Sequence, residues 1–141
     1  MIYLAAPFQT KEKRENAKRA KKILEDRGFK VYAPWEIKIE NAWDYDEGTW
    51  AYLVFKNDEK AIKECEFMVM LSYGRISSAG TNWECGFAYG INKRVLVVEM
   101  TEKQMSLMVV NGSHSVIKGL KQLKEYDFTN FPRLKTGTSQ K

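Results

Sequence analysis

Cysteine, histidine and proline are scarce in this chain, with two, one and three copies respectively among 141 residues. No apolar run approaches the ~20 residues that a membrane-spanning helix needs. Cys65 and Cys85 lack the paired spacing of a zinc site or a disulfide framework, and a lone His114 leaves a histidine-based metal centre short of ligands. Free thiols in a reducing compartment and no metal are therefore expected. Met1 runs straight into "IYLAAPF" with no basic segment ahead of a long apolar stretch, so the reading is a cytoplasmic protein with no membrane partner.

What is present suits a compact core: 44% of residues are hydrophobic and 13% aromatic, in a chain of ordinary domain length. No repeat or linker divides it. A single domain over residues 1–134 is expected, with the polar end "KTGTSQK" at 135–141 read as a disordered tail. The net charge of +5 and the run from Lys11 to Lys22 raise the question of a nucleic-acid surface. Glu12 and Glu15 interrupt that run, and Ala17, Ala20, Ile23 and Leu24 recur at helical spacing, which fits the wet face of an amphipathic helix better. No nucleic-acid polymer is expected as a partner; a basic balance also suits small phosphorylated ligands.

Short β-prone runs alternate with helical patterns, the signature of a parallel sheet with helices on its faces. The pattern predicts strands at Ile2 to Ala5, Phe29 to Pro34, Phe67 to Leu71, Arg94 to Met100 and Ser115 to Ile117. Helices are predicted over Thr10 to Arg27, stopped by Gly28, over Thr49 to Cys65 with Trp50, Leu53, Val54, Ala61 and Ile62 on one stripe, and around Gln104 to Val110. Asn111 and Gly112 read as a helix end. Residues 34–48 fit neither period and read as a long binding loop.

In open parallel sheets the ligand lies beyond the carboxyl ends of the strands. That rule gathers "APFQ", "SYGRISSAGT" and "MTEKQMS" around one pocket, with Glu84 close behind the second. Two readings of Glu84 stand: a carboxylate facing the pocket, or the acid of the capping box Thr81-Asn82-Trp83-Glu84, which spacing alone favours. Asp58 similarly reads as an exposed helical acid beside Lys56 and Lys60. His114 with either cysteine has no third orienting group, so these three are taken as structural.

Four segments in register, "IYLAAPF", "VFKNDEKAIKECE", "SAGTNWECGFAYGINKRVLVV" and "LMVVNGSHSVIKGLKQLKEYDF", resemble the nucleoside 2-deoxyribosyltransferase family over nearly the whole chain. The resemblance implies a flavodoxin-like three-layer α/β fold with a five-stranded parallel sheet, no organic cofactor and no metal. It also implies a homodimer or higher homo-oligomer with shared active sites, acting on a small nucleoside or nucleotide. By the same resemblance Glu84 is the nucleophile, Tyr3 orients it, and Asp58 contacts the nucleobase, while Phe8 and Trp83 stack on the base, line the pocket or belong to the core.

The chain departs from the transferases at two positions. Ser78 stands six residues before Glu84, where base-exchanging members carry aspartate, and Ser106-Leu107-Met108 replaces their Asn-Leu-Met, a motif that reaches a neighbouring subunit's site. Hydroxyls there remove negative charge from the sugar's 5′ end, and "SAGTNWE" is similar to the "SPGTHVE" pattern of nucleoside 5′-monophosphate N-glycosidases. Ser78, Gly80 and Thr81 at a glycine-containing turn into a helix suit a phosphate, with Ser106 and Met108 completing the site. "YDFTNFP" and Gln9 resemble the transferases instead. Hydrolysis of a (2′-deoxy)nucleoside 5′-monophosphate, base exchange between deoxynucleosides, and a non-catalytic nucleotide-binding module are the three readings.

Overall fold

The computed structural model describes residues 1–134; the predicted tail lies outside the described residues. The chain forms β1 (Ile2–Ala5), α1 (Lys11–Asp26), β2 (Val31–Tyr32), α2 (Glu47–Glu64), β3 (Phe67–Ser72), α3 (Ala79–Gly90), β4 (Arg94–Glu99), α4 (Leu107–Asn111), β5 (Ser115–Lys118) and α5 (Gly119–Glu125). The five strands pair in parallel in the order β2-β1-β3-β4-β5, the doubly wound flavodoxin-like arrangement. Its switch point, where successive connections leave in opposite directions, lies between β1 and β3.

Alternation along the strands divides the interior in two. Ile2, Leu4, Val69, Leu71, Leu96 and Val98 face α1 and α5, meeting Ala20, Leu24 and Leu123. Tyr3, Ala5, Met68, Met70, Val95 and Val97 face α2, α3 and α4, meeting Ile62, Cys85, Ala88 and Val110. Burial on both faces explains why β3 and β4 read as unbroken apolar runs. On the first face Phe128 and Phe131 from the chain's end pack on Phe67, extending that core beyond the helices.

Helix α1 begins where the sequence indicates, because the Thr10 hydroxyl accepts from the Lys13 N–H at 3.2 Å. Ala17, Ala20, Ile23 and Leu24 are its buried residues, and its bases are spread over the solvated face, where Lys22 pairs with Asp26 and Lys21 with Glu36. Gly28, at φ +92°, ends it in the left-handed region that other residues resist.

Three differences from the sequence pattern matter for the site. Strand β2 is only two residues long, because Pro34 has no N–H to donate and starts a 3-10 turn at Pro34–Glu36. A second such turn at Ala42–Asp44 breaks up the expected loop, and α2 starts early, at Glu47, because the Asp46 carboxylate accepts from the Thr49 N–H at 2.6 Å. Of the predicted apolar stripe on α2, only Ala61 and Ile62 are buried; Trp50 is exposed and Leu53 and Val54 are half-buried. Part of the same helix, between Ala51 and Asp58, instead lines a cavity.

Candidate active site

At the carboxyl ends of β1 and β3 lies a cavity of about 750 Å³, within the size range of small-molecule sites. Ala6 to Gln9 after β1 form one side, and Ser78, Gly80, Thr81, Trp83 and Glu84 of α3 with its cap form another. The third side is the middle of α2, with Ala51, Val54, Phe55 and Asp58. The segment from Met100 to Ser106, expected in the pocket, is not in this wall. Met105 is buried in the core, and the Thr101 to Gln104 stretch packs against Gly74 instead. From the expected binding loop only Pro34 reaches the cavity directly; Trp35 stands behind Phe8 in a stack at 5.1 Å, and Trp43 is fully exposed.

The capping-box reading of Glu84 does not hold. Helix α3 is capped by Ser78, whose hydroxyl accepts from the Thr81 N–H at 3.3 Å, so Thr81 already lies inside the helix and Glu84 in its second turn. There Glu84 Oε2 accepts a short hydrogen bond from the hydroxyl of Tyr3, which is fully buried at the centre of β1. Burial pushes the Glu84 carboxyl from the ordinary 4.5 up to about 7, with the Tyr3 hydrogen bond opposing the rise and the charge of Asp58 adding to it. Desolvation is the largest of these influences. Burial and the Glu84 charge drive the Tyr3 hydroxyl far above its usual range, so it keeps its proton and acts only as a donor here.

Asp58 is not the exposed acid its neighbours in sequence suggest. Lys56 pairs with Glu59 at 2.6 Å and Lys60 with Glu64 at 4.0 Å, while Asp58 Oδ1 accepts from the Tyr32 hydroxyl at 3.0 Å. Burial raises the Asp58 carboxyl, and the Tyr32 bond works against that rise. Tyr32 was not singled out from the sequence. Its signal is the register Tyr3↔Tyr32 between β1 and β2, which stacks the two rings at 5.2 Å on one face of the sheet. Two tyrosines side by side thus hold two carboxyls at one cavity.

Aromatic rings supply most of the remaining wall. Phe8 is half-buried and backed by Trp35, and Trp83 is 47% exposed, stacked on Phe87 at 5.1 Å and met edge-on by Phe55. Neither Phe8 nor Trp83 is a closed core residue. Ser106 and Met108 are elsewhere: Ser106 caps α4 by accepting from the Val109 N–H, and Met108 is 76% exposed. Neither is in the cavity wall of this single chain.

The cysteines and histidine are in structural positions. Cys65 donates to the Ile62 carbonyl, burial pushes the Cys85 thiol up to about 12, and His114 Nδ1 accepts from the Val95 N–H at 3.1 Å. Among the described residues no three acidic, histidine or cysteine side chains gather as a metal site, and no helix is long and apolar enough to cross a membrane.

A carboxyl with a raised pKa makes the fold sensitive to pH in a defined direction. Glu84 binds its proton more tightly folded than unfolded, so its contribution is fully present below about pH 4.5 and lost as pH rises through about 7. Glu84→Gln, whose amide oxygen still accepts from Tyr3, removes that pH-dependent penalty. Thermal denaturation should find the variant more stable than the parent at pH 8, by on the order of 1–3 kcal/mol, with the advantage shrinking towards pH 5. A difference in melting temperature that stays constant from pH 5 to 8 would contradict the burial of this charge.

Comparison with known proteins bears on the family and the fold. The family model described as nucleoside 2-deoxyribosyltransferase matches residues 2–128. Among solved structures, a 2-deoxyribosyltransferase from the psychrotolerant bacterium Bacillus psychrosaccharolyticus superimposes with a TM-score of 0.84 at 28% identity, covering 95% of this chain and 97% of its own. A CMP N-glycosidase of Clostridium botulinum matches with a TM-score of 0.60 at 20% identity, over 88% of this chain and 93% of its own. A conserved protein from Enterococcus faecalis V583 gives 0.55 at 21%, over 99% and 90%. The last two share the fold. Among curated proteins no match was found. With the family match running over nearly the whole described chain, the protein belongs to the nucleoside 2-deoxyribosyltransferase family.

Proposed function

We propose that the protein cleaves the N-glycosidic bond of a (2′-deoxy)nucleoside 5′-monophosphate through a covalent glycosyl intermediate on Glu84 and releases the free base. The observation that carries this reading is the hydrogen bond from buried Tyr3 to Glu84 in the cavity wall. It occupies Oε2 and leaves Oε1 to attack the anomeric carbon. As the C1′–N bond breaks, its electron pair passes to the base, which takes a proton from Asp58, and positive charge gathers on the sugar beside ionised Glu84. The ester then forms between Oε1 and C1′. Water attacks C1′, returning a proton to Asp58 and freeing the Glu84 carboxylate and the sugar phosphate. The faces of Phe8 and Trp83 accept the base by stacking.

The 5′ end is assigned to Ser78, Gly80 and Thr81. Ser78 is neutral and caps a helix whose first N–H groups have no acceptor within the helix, an arrangement that favours a phosphate where an aspartate would repel one. A second reading, exchange of bases between unphosphorylated deoxynucleosides, is favoured by the likeness to the B. psychrosaccharolyticus transferase, and differs only in that a second base replaces water in attacking C1′.

The proposed active unit is a homodimer or larger homo-oligomer in which Ser106 and Met108 approach a neighbouring protomer's cavity. Trp43, Tyr45, Trp50, Tyr52, Leu107 and Met108 are all exposed, a quantity of apolar surface that supports a second copy as its cover. Light scattering of an active sample should find at least a dimer. An active monomer removes Ser106 and Met108 from the site.

Incubation with a deoxynucleoside and with its monophosphate, each with and without a second free base, separates the readings by chromatography of the products. Base release from the monophosphate alone is the expected result. Ser78→Asp should lower it at least tenfold, since a hydrogen bond to a charged group contributes roughly 1.5–3 kcal/mol and repulsion adds to its loss. Efficient formation of a new deoxynucleoside identifies the transferase instead. Binding without any base release leaves a nucleotide-sensing module.

A further inference from the structure

We propose that Tyr32 is a positioning residue for this reaction: it holds the Asp58 carboxyl at the cavity and, through its stack on Tyr3, fixes the proton donor relative to the nucleophile. The inference rests on the roles of Glu84 and Asp58 given above. Strand β2 contributes two residues to the sheet, and one of them places a phenol beside Tyr3 in exact register on the same face. The rings lie 5.2 Å apart and 18° from parallel, so moving one disturbs the other. Their hydroxyls have different partners, Tyr3 donating to Glu84 on α3 and Tyr32 donating to Asp58 on α2 at 3.0 Å. Sheet geometry thereby sets the relation between two carboxyls carried on different helices.

A phenylalanine would pack on Tyr3 as well as tyrosine does, so packing alone does not call for the hydroxyl. The groups that face Asp58 are Tyr32 from β2, Tyr3 behind it on β1 and Glu84 across the cavity on α3. On its own helix Lys56 is paired with Glu59, which also meets Lys63 at 3.9 Å, and Lys60 with Glu64. No cation on α2 therefore takes the place of Tyr32 at Asp58 among the described ion pairs. A donor at Asp58 Oδ1 favours the ionised carboxylate, so it sets the pH at which the base loses its proton source. The charge of Asp58 also acts on Glu84, as the smallest of the three influences on that carboxyl.

The test is the pH profile of base release by the full chain in three variants. Tyr32→Phe should lower the rate at the optimum roughly tenfold and move the alkaline limb up by about one pH unit, since the variant lets Asp58 keep its proton longer. In an Asp58→Asn background the same substitution should change nothing further, as expected when one residue acts only through the other. A difluorotyrosine at position 32 is the complementary variant: its more acidic phenol strengthens the bond, and the limb should move down. It also provides the readout should Tyr32→Phe fail to fold. Loss of rate with the limb unmoved, or an equal loss in the Asp58→Asn background, overturns the positioning role. Parent protein that releases no base from either substrate defeats the proposed function itself, a result distinct from both.

Discussion

The hydrogen bond between Tyr3 and Glu84 is the contact on which the site depends, because it joins the central part of the sheet to the helix that follows its switch point. Tyr3 is fixed by burial on β1 between two strands, and it has no freedom to follow a moving partner. Glu84 is brought to it only because α3 starts at Ser78, which puts residue 84 on the turn facing β1. Three levels of organisation meet there: a cap chosen by local sequence, a strand buried on both faces, and a carboxyl aimed into a cavity at the strand ends.

The same placement sets stability against chemistry. Desolvation in this partly apolar setting raises the Glu84 carboxyl to about 7. Tyr3 opposes this by favouring the anion, and Asp58 worsens it by repulsion. Around this buried carboxyl the two faces of the sheet are closely packed with apolar side chains.

Much of this fold is legible in the sequence, for physical reasons that also explain the misses. Strands buried on both faces must be continuous apolar runs, so β3 and β4 could be read almost to the residue. Helix α1 announces its start through Thr10 and its end through Gly28. The start of α3 differs from the Thr81 capping box that spacing favours: Ser78 caps the helix, while the Ser77 hydroxyl accepts from the Tyr73 N–H at 3.0 Å. The stripe on α2 misled because an apolar helical face signals burial against something without saying what. Val54 lines the cavity and Trp50 is exposed within this chain. Glu84, Tyr3 and Asp58 are singled out as site candidates by family resemblance, since spacing alone favours a cap and a surface acid. Tyr32 needed the register of β1 and β2, a non-local fact that two residues of strand do not reveal.

The most direct test of the account is whether a sugar becomes attached to Glu84. Incubation with a 2′-deoxy-2′-fluoro nucleoside 5′-monophosphate, whose electron-withdrawing fluorine slows breakdown of the ester, should be followed by acid quench, proteolysis and mass spectrometry of the peptide containing Glu84. The account predicts the mass of a fluorinated deoxyribosyl 5-phosphate on that residue, appearing together with one equivalent of free base. Release of base in stoichiometric amount with Glu84 unmodified, or with the sugar on another side chain, would contradict it.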